Sequence, residues 1–237
     1  MSVSRIFMCT LAICAVAITH AAASPIAGQI DDFQDGTTMG WAVAALGSPT
    51  PAPPINVGSG GPAGVGDAYL QLTSIGGTGP GSRLAAFNGA QWAGDYLAAG
   101  IGAIAMDVQN FSAADLFLRL AFEDPVGGPP ADVAFSTVPI VLPASSGWMH
   151  VVFPIGLTDL SAGLGSVDTA LSNTTLLRLY HSDVPTFPNP VFPIPAIVAE
   201  LGADNIEALA APVPEPATWL LLFGGVAAAV RRLRRSA

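Results

Sequence analysis

The clearest hydrophobic pattern in the chain is a two-residue alternation between positions 116 and 122. Leu116, Leu118, Leu120 and Phe122 fall on one side of an extended chain, and Arg119 projects from the other. This pattern predicts a β-strand whose apolar side faces a core and whose other side meets solvent.

Shorter apolar runs separated by glycine and proline predict further strands. The chain contains 26 glycines and 21 prolines, and no stretch between residues 24 and 212 sustains the 3.6-residue period of a helix. Two segments rich in proline and glycine, 48–66 and 183–195, are predicted as long loops, the second in extended polyproline conformation. We therefore expect residues 24–212 to form one all-β domain, an antiparallel β-sandwich of jelly-roll-like topology. The predicted strands besides 116–122 are Ile101–Val108, Val138–Leu142, Met149–Phe153, Leu176–Tyr180 and Asn205–Leu209.

The first 23 residues have the pattern of a secretory signal peptide. Arg5 supplies the positive n-region, Ile6–Ile18 the apolar h-region, and Ala21-Ala22-Ala23 a small-residue cleavage site. Cleavage after Ala23 leaves Ser24 as the first residue of the exported protein. A lipoprotein anchored through Cys14 is the alternative, although an isoleucine precedes that cysteine where a lipobox requires a small residue.

The segment 213–237 combines a proline-flanked acid, an apolar run and an arginine cluster. In Val213-Pro214-Glu215-Pro216 the prolines disfavour regular structure around the glutamate. The run 217–230 predicts a transmembrane helix of roughly 21 Å, short against a hydrocarbon core of about 30 Å. The positive-inside rule keeps the arginines cytoplasmic and places the preceding domain across the membrane. The residues predicted to anchor this helix are Trp219, Gly224, Gly225, Arg231, Arg232, Arg234 and Arg235.

This order of elements resembles the PEP-CTERM sorting signal of exported proteins in Gram-negative bacteria. The resemblance rests on Pro214-Glu215-Pro216, the apolar run with Gly224-Gly225, and the terminal arginines. It implies an exosortase-type transpeptidase as partner, a membrane-bound intermediate in the inner membrane, and a final place at the cell surface or outside the cell. An ordinary C-terminal anchor or a buried core helix is the alternative interpretation.

The charge balance of the chain excludes some classes of partner. The chain has 17 acidic residues against 8 arginines, no lysine, and a formal net charge of −9. An acidic surface repels phosphate backbones, so nucleic acid is not expected as a partner, whereas divalent cations and neutral polysaccharide fit better. Both cysteines, Cys9 and Cys14, lie in the predicted signal peptide, so no disulfide is expected to hold the sandwich together.

A second resemblance concerns residues 24–212. The segments Asp31–Gly36 with Gly40-Trp41, Leu84–Phe87, Gly147-Trp148 and Ala203–Leu209 are similar to parts of laminin-B-type and carbohydrate-binding jelly rolls. The resemblance implies two sheets, an opening segment beside the closing one, and a structural calcium ion near both.

Four aspartates are the candidates for that calcium ion. Asp31, Asp32 and Asp35 near the start and Asp204 near the end supply the hard oxygen ligands that calcium takes, provided that the fold joins the two ends. The alternative is that these aspartates are turn formers and solvated acids. Apart from this calcium, no cofactor is expected.

Stacking of aromatic rings on sugars is the mechanism expected of a carbohydrate-binding sandwich. Trp92 and Tyr96, in a glycine-rich stretch, are the candidates for an exposed platform, whereas Trp41 and Trp148 are predicted to lie in the core.

The sequence offers no catalytic constellation. His150 and His181 lack a partner acid and nucleophile in sequence, and the predicted enzyme class is therefore none. We expect an exported structural or adhesive protein that binds carbohydrate, with an exopolysaccharide as candidate ligand. The alternative is a secreted glycan-active hydrolase, because two carboxyl groups distant in sequence can form its active site.

Overall fold

A computed structural model describes residues 24–44, 50–77, 81–125, 128–187 and 194–212. Its strands run as follows: β1 Ile30–Asp31, β2 Ile55–Val57, β3 Tyr69–Ile75, β4 Ala85–Asn88, β5 Ile101–Asn110, β6 Leu116–Glu123, β7 Val133–Ser136, β8 Ile140–Leu142, β9 Met149–Pro154, β10 Leu160–Leu164, β11 Leu176–His181 and β12 Val198–Ala210. One short helix, α1, spans Val167–Ser172 within the described part of the chain.

The strands form two antiparallel sheets of six strands each. The first sheet has the order β2-β3-β12-β5-β9, with β1 also paired to β12. The second has the order β10-β7-β6-β11-β4, with β8 also paired to β6. The predicted all-β antiparallel sandwich is confirmed, and so is the expectation that its opening and closing segments lie side by side, because Asp31 pairs with Ile206.

The main core lies between the two sheets. The apolar alternation of β6 supplies Leu116, Leu118, Leu120 and Phe122, all without exposed surface. From the first sheet, residues such as Leu72 pack against them. This confirms the prediction that the apolar side of the 116–122 strand faces a core.

The opposite side of β6 does not meet solvent, contrary to the sequence prediction. A second apolar cluster covers it, and Arg119 is 2% exposed. The strand is therefore buried on both sides, because the segments before and after the 188–193 gap place apolar side chains over the outside of the second sheet. The cluster consists of Ala121, Val133, Phe135, Tyr180, Phe187 and Ile194.

Several elements were not predicted from the sequence. The 48–66 segment contains strand β2 and is therefore not one continuous loop. Helix α1 has only six residues, too few to show a helical period. Its N-cap is Ser166, whose side chain accepts a hydrogen bond from the backbone N–H of Thr169.

The predicted signal helix at 1–23 and transmembrane helix at 217–230 lie outside the described residues. Within the described ranges, the structure has no helix with the length and apolar character needed to cross a bilayer.

Candidate functional site

The outer face of the first sheet carries polar and aromatic side chains from four strands. The register of the antiparallel pairs puts alternate residues of four strands on this face, while their neighbours enter the core. Gln71 and Gln109 flank Gly202 from either side, so these three positions form one row across β3, β12 and β5. The other positions on this face include Tyr69, Thr73, Glu200, Asp204, Asp107, His150 and Val152.

Three aromatic side chains meet over this face, and we call Tyr69, Phe111 and Trp148 the aromatic ridge. The Tyr69 and Trp148 ring centroids lie 5.2 Å apart with the rings edge to face, and those of Tyr69 and Phe111 lie 6.1 Å apart. Phe111 is 38% exposed and Trp148 is half-buried. The indole N–H of Trp148 donates to the carbonyl of Gly60 at 2.9 Å, which fixes the ring against the 58–66 segment.

Gly202 is the position that allows the ridge to lie on the sheet. A Cβ atom there would stand 2.8 Å from Cη2 of Trp148 and 3.1 Å from Cε2 of Phe111. A glycine inside a strand often marks such a close approach. The ridge thus requires a glycine at position 202 of β12 as well as its own three aromatic rings.

An acidic group borders the ridge. His150 Nδ1 and Asp107 Oδ1 lie 2.9 Å apart, and the amide of Asn205 donates to the other oxygen of Asp107 at 2.9 Å. The neighbouring Asp204, paired with Asp107 across the strands, is fully buried. A bulge follows it, with Asn205 in the left-handed region at φ 48°.

Burial raises the pKa of Asp204 to about 7. The backbone N–H of Asn205, at 2.7 Å, opposes this rise in pKa, while the negative charges of Asp67, Asp107 and Asp32 add to it. The folded chain therefore holds this proton more tightly than the unfolded chain. The resulting contribution to stability is complete below the ordinary pKa of 3.8 and is lost as the pH rises through about 7.

Asp31 does not face a metal site but holds two tryptophans inside the core. Its Oδ2 accepts the indole N–H groups of Trp41 at 2.8 Å and Trp92 at 2.7 Å, and its Oδ1 accepts the Gln91 amide at 2.8 Å. Burial raises the pKa of Asp31, and the hydrogen bonds from Trp92, Gln91 and Trp41 partly counter that rise. The carboxylate links the opening segment of the domain to the 88–96 segment.

The predicted carbohydrate platform at Trp92 and Tyr96 is wrong. Both side chains have no exposed surface, so neither can stack on a sugar. The Tyr96 hydroxyl donates to the Trp92 carbonyl at 2.8 Å, and the Tyr96 ring packs edge-on against Phe122. Trp41 is in the core as predicted, whereas Trp148, also predicted there, is the one on the outer face.

The four predicted calcium ligands do not form a ligand set. Asp31 is occupied by the indoles, and Asp35 accepts the backbone N–H and hydroxyl of Thr37 in a turn. Asp32 accepts the backbone N–H of Gln34 at 3.2 Å. Among the residues that the structure describes, no three histidine, cysteine or acidic side chains are grouped so that they could hold a metal ion. These residues do not fit a calcium ion; two of them, Asp32 and Asp35, act as turn formers.

His181 has a structural role. Its Nδ1 accepts the backbone N–H of Phe117 at 3.0 Å, and burial lowers its pKa, partly countered by Asp183. His150 pairs with Asp107, a contact that the sequence did not indicate because 43 positions separate the two residues.

Of the predicted signal cleavage point and sorting segment, the structure describes only Ser24. Ser24 is exposed and lies against Gly94, while Ala21, Ala23 and the residues from Val213 onward fall outside the described ranges. Cleavage after Ala23 and anchoring through Trp219, Gly224, Gly225 and the arginines therefore remain predictions.

The fold and the outer face define the class of protein. It is a two-sheet antiparallel sandwich with an aromatic ridge, followed directly in sequence by a C-terminal sorting segment. Residues 212–235 match the PEP-CTERM protein-sorting motif, which confirms the resemblance drawn from Pro214, Glu215, Pro216 and the arginines. The motif indicates an exported protein that is processed at the membrane by an exosortase.

Solved structures similar to the sandwich include two family 11 carbohydrate-binding modules from Clostridium thermocellum. One, in complex with a β-1,3-1,4-mixed-linked tetrasaccharide, is 16% identical, covers 79% of this chain and 98% of that chain, and has a TM-score of 0.49. The other, from a cellulosomal cellulase, is 13% identical, covers 81% and 100%, and has a TM-score of 0.48. No curated protein matches the chain by sequence.

Proposed function

We propose that this exported, exosortase-sorted protein binds carbohydrate through the aromatic ridge and acts as a non-catalytic structural or adhesive component at the cell surface or outside the cell. The ligand class is polysaccharide, with an exopolysaccharide as the candidate. During export the protein passes through an intermediate that is held in the inner membrane.

The observation that carries carbohydrate binding is the partly exposed Trp148 beside Phe111 on the outer face of the first sheet. An aromatic ring there offers an apolar surface, while Gln71 and Gln109 in the adjoining row offer amide donors and acceptors. Sugar rings combine an apolar face with hydroxyls at the edge, so a ring surface beside amides matches both properties.

The hydrolase alternative has less support from the same face. Glycoside hydrolysis needs two carboxyl groups that flank the scissile bond. Asp204, the acid with a pKa near neutrality, has no exposed surface, and Asp107 is bonded to both His150 and Asn205. This pair therefore cannot reach a polysaccharide chain in the folded sandwich.

The test is binding to a panel of insoluble and soluble polysaccharides by affinity electrophoresis and calorimetry. For a bound polymer, Trp148→Ala should weaken binding about 30-fold, which corresponds to roughly 2 kcal/mol for a central aromatic contact. Val138→Ala is the control, because Val138 is 75% exposed and lies on the strand connection before β8. Equal binding by both variants would reject the ridge, and release of oligosaccharides from the polymer would favour the hydrolase.

A further inference from the structure

The two ends of the sandwich domain leave the fold at the same place. The backbone N–H of Gly28 donates to the Ala208 carbonyl at 2.7 Å, and that of Ala211 donates to the Gly100 carbonyl at 2.7 Å. Ala210 is paired with Ile101 at the start of β5. We call this place, formed by residues 24–28, 96–100 and 210–212, the exit end.

The sorting motif begins immediately at the exit end. Its match starts at residue 212, next to Ala211, which is the last described residue bonded to the sandwich. From Ala211 to the start of the predicted membrane run at residue 217 the chain spans at most about 22 Å, because an extended chain advances no more than about 3.6 Å per residue. When the sorting segment is at the membrane, this short tether keeps the exit end beside the bilayer surface.

The exit end carries little charge, although the chain as a whole is strongly acidic; Asp95, whose Oδ1 accepts the backbone N–H of Ala98 at 2.8 Å, is an acidic side chain at its edge. The stretches 24–30, 96–106 and 208–212 contain no charged side chain. Two large apolar side chains are exposed there, Ile26 at 65% and Leu97 at 39%. Carboxylates at this position would be repelled by the negative surface potential of a membrane that contains anionic lipids, whereas apolar side chains can contact the headgroup region.

The aromatic ridge lies toward the other end of the same strands. Phe111 follows the last residue of β5, and its backbone N–H bonds to the carbonyl of Glu200 near the start of β12. Strand β5 has 10 residues, a length of about 30 Å at roughly 3.3 Å per residue. With the exit end in contact with the bilayer, the ridge therefore lies toward the opposite end of the sandwich, away from the bilayer.

We propose that the exit end is a membrane-contact surface. It rests on the lipid headgroups while the sorting segment is anchored and presents the ridge outward before processing is complete. The inference rests on the membrane-bound intermediate of the proposed function but not on carbohydrate binding.

Single-cysteine labelling tests this orientation, since Cys9 and Cys14 are the only cysteines. In the full chain with Cys9→Ala and Cys14→Ala, the probe bimane is attached at Ala98→Cys on the exit end or at Ala113→Cys beyond β5. Both alanines are exposed, which makes the pair matched. The chain is reconstituted in vesicles of phosphatidylethanolamine and phosphatidylglycerol that contain a lipid with a nitroxide headgroup, and flotation reports anchoring.

We expect the protein to float with the vesicles and the nitroxide to quench the probe at position 98 several-fold more than at position 113. Leu97→Glu should reduce the quenching at position 98, whereas Ile75→Glu, at an exposed position away from the exit end, should not.

Three results would overturn the proposal. Equal or stronger quenching at position 113 in floated protein would exclude the orientation and leave the sorting function intact. Failure to float would remove the anchored intermediate itself. Quenching at position 98 only in vesicles that also contain the transpeptidase would assign the exit end to that enzyme instead of to lipid.

Discussion

Arg119 is a buried cation whose removal should destabilise the sandwich as strongly as the loss of a core leucine. Its Nε donates to the Ser182 carbonyl at 3.0 Å, and its Nη1 donates to the carbonyls of Ser136 at 2.7 Å and Thr137 at 2.8 Å. The ion pairs within the described residues are His150–Asp107 and Arg178–Glu123, so carbonyl groups and not a carboxylate hold this guanidinium. Burial lowers its pKa, partly countered by Tyr180 and Asp183.

Arg119→Ala removes the donors of three carbonyl groups and opens a cavity between β6 and its neighbours. A hydrogen bond to a charged group contributes about 1.5–3 kcal/mol, and the recovered hydration of the guanidinium offsets part of the sum. We expect a net loss of about 3 kcal/mol in the free energy of unfolding. Leu118→Ala, which removes fully buried methyl groups, should cost about 2–5 kcal/mol.

Urea unfolding followed by tryptophan fluorescence compares the two variants directly, provided that their m-values agree. Arg119→Met is the control for volume, since it keeps most of the packing and loses all donors. A cost below about 1 kcal/mol for Arg119→Ala, the value typical of an exposed charge, would refute the buried arrangement. A difference between the methionine and alanine variants measures the cavity contribution.

Three further outcomes are expected. Gly202→Ala should displace Trp148, because the new Cβ would stand 2.8 Å from its ring. Polysaccharide affinity measured by calorimetry should then fall by a factor similar to that for Trp148→Ala, and an unchanged affinity would contradict the packing. Asp204→Asn should flatten the fall in thermal stability between pH 4 and 7 and stabilise the protein by about 1–2 kcal/mol at pH 8, where the ionised acid is unfavourable. Glu215→Ala should leave an unprocessed precursor that still ends at Ala237 by mass spectrometry, whereas in cells with the exosortase the parent chain should lose this terminus.

Hydrophobic alternation correctly predicted the strand at 116–122 and the apolar side that faces the core. It did not predict that the opposite side of this strand is also buried. Leu116 to Phe122 were placed correctly because period-two alternation is a local property of the chain. The burial of Arg119 depends on Phe135, Tyr180 and Phe187, whose positions over the second sheet follow from long-range pairing. No local pattern reports whether a second layer covers a sheet.

The tryptophans show the same limit in the candidate site. Composition favoured Trp92 for the surface because glycines surround it, yet a carboxylate 61 positions away draws its indole N–H into the core. Trp148 was assigned to the core, and Gly202 gave no warning, because the predicted strand began at Asn205 whereas β12 begins at Val198 and so includes this glycine. A glycine inside a strand is a signal for a close approach. That signal becomes specific only when the register shows which ring faces the glycine.

The register of β12 therefore determines whether the ridge exists. A slip of one residue would replace Gly202 on the outer face by Leu201 or Ala203, whose side chains now enter the core. Two features of this chain hold the register. Ser112 Oγ accepts the N–H of Glu200 at 2.7 Å and donates to its carbonyl at 3.2 Å. The bulge at Asn205 interrupts the pairing with β5 beyond Asp204. Because both lie within five residues of Gly202, one on each side, they hold the register at the point where Trp148 contacts the strand.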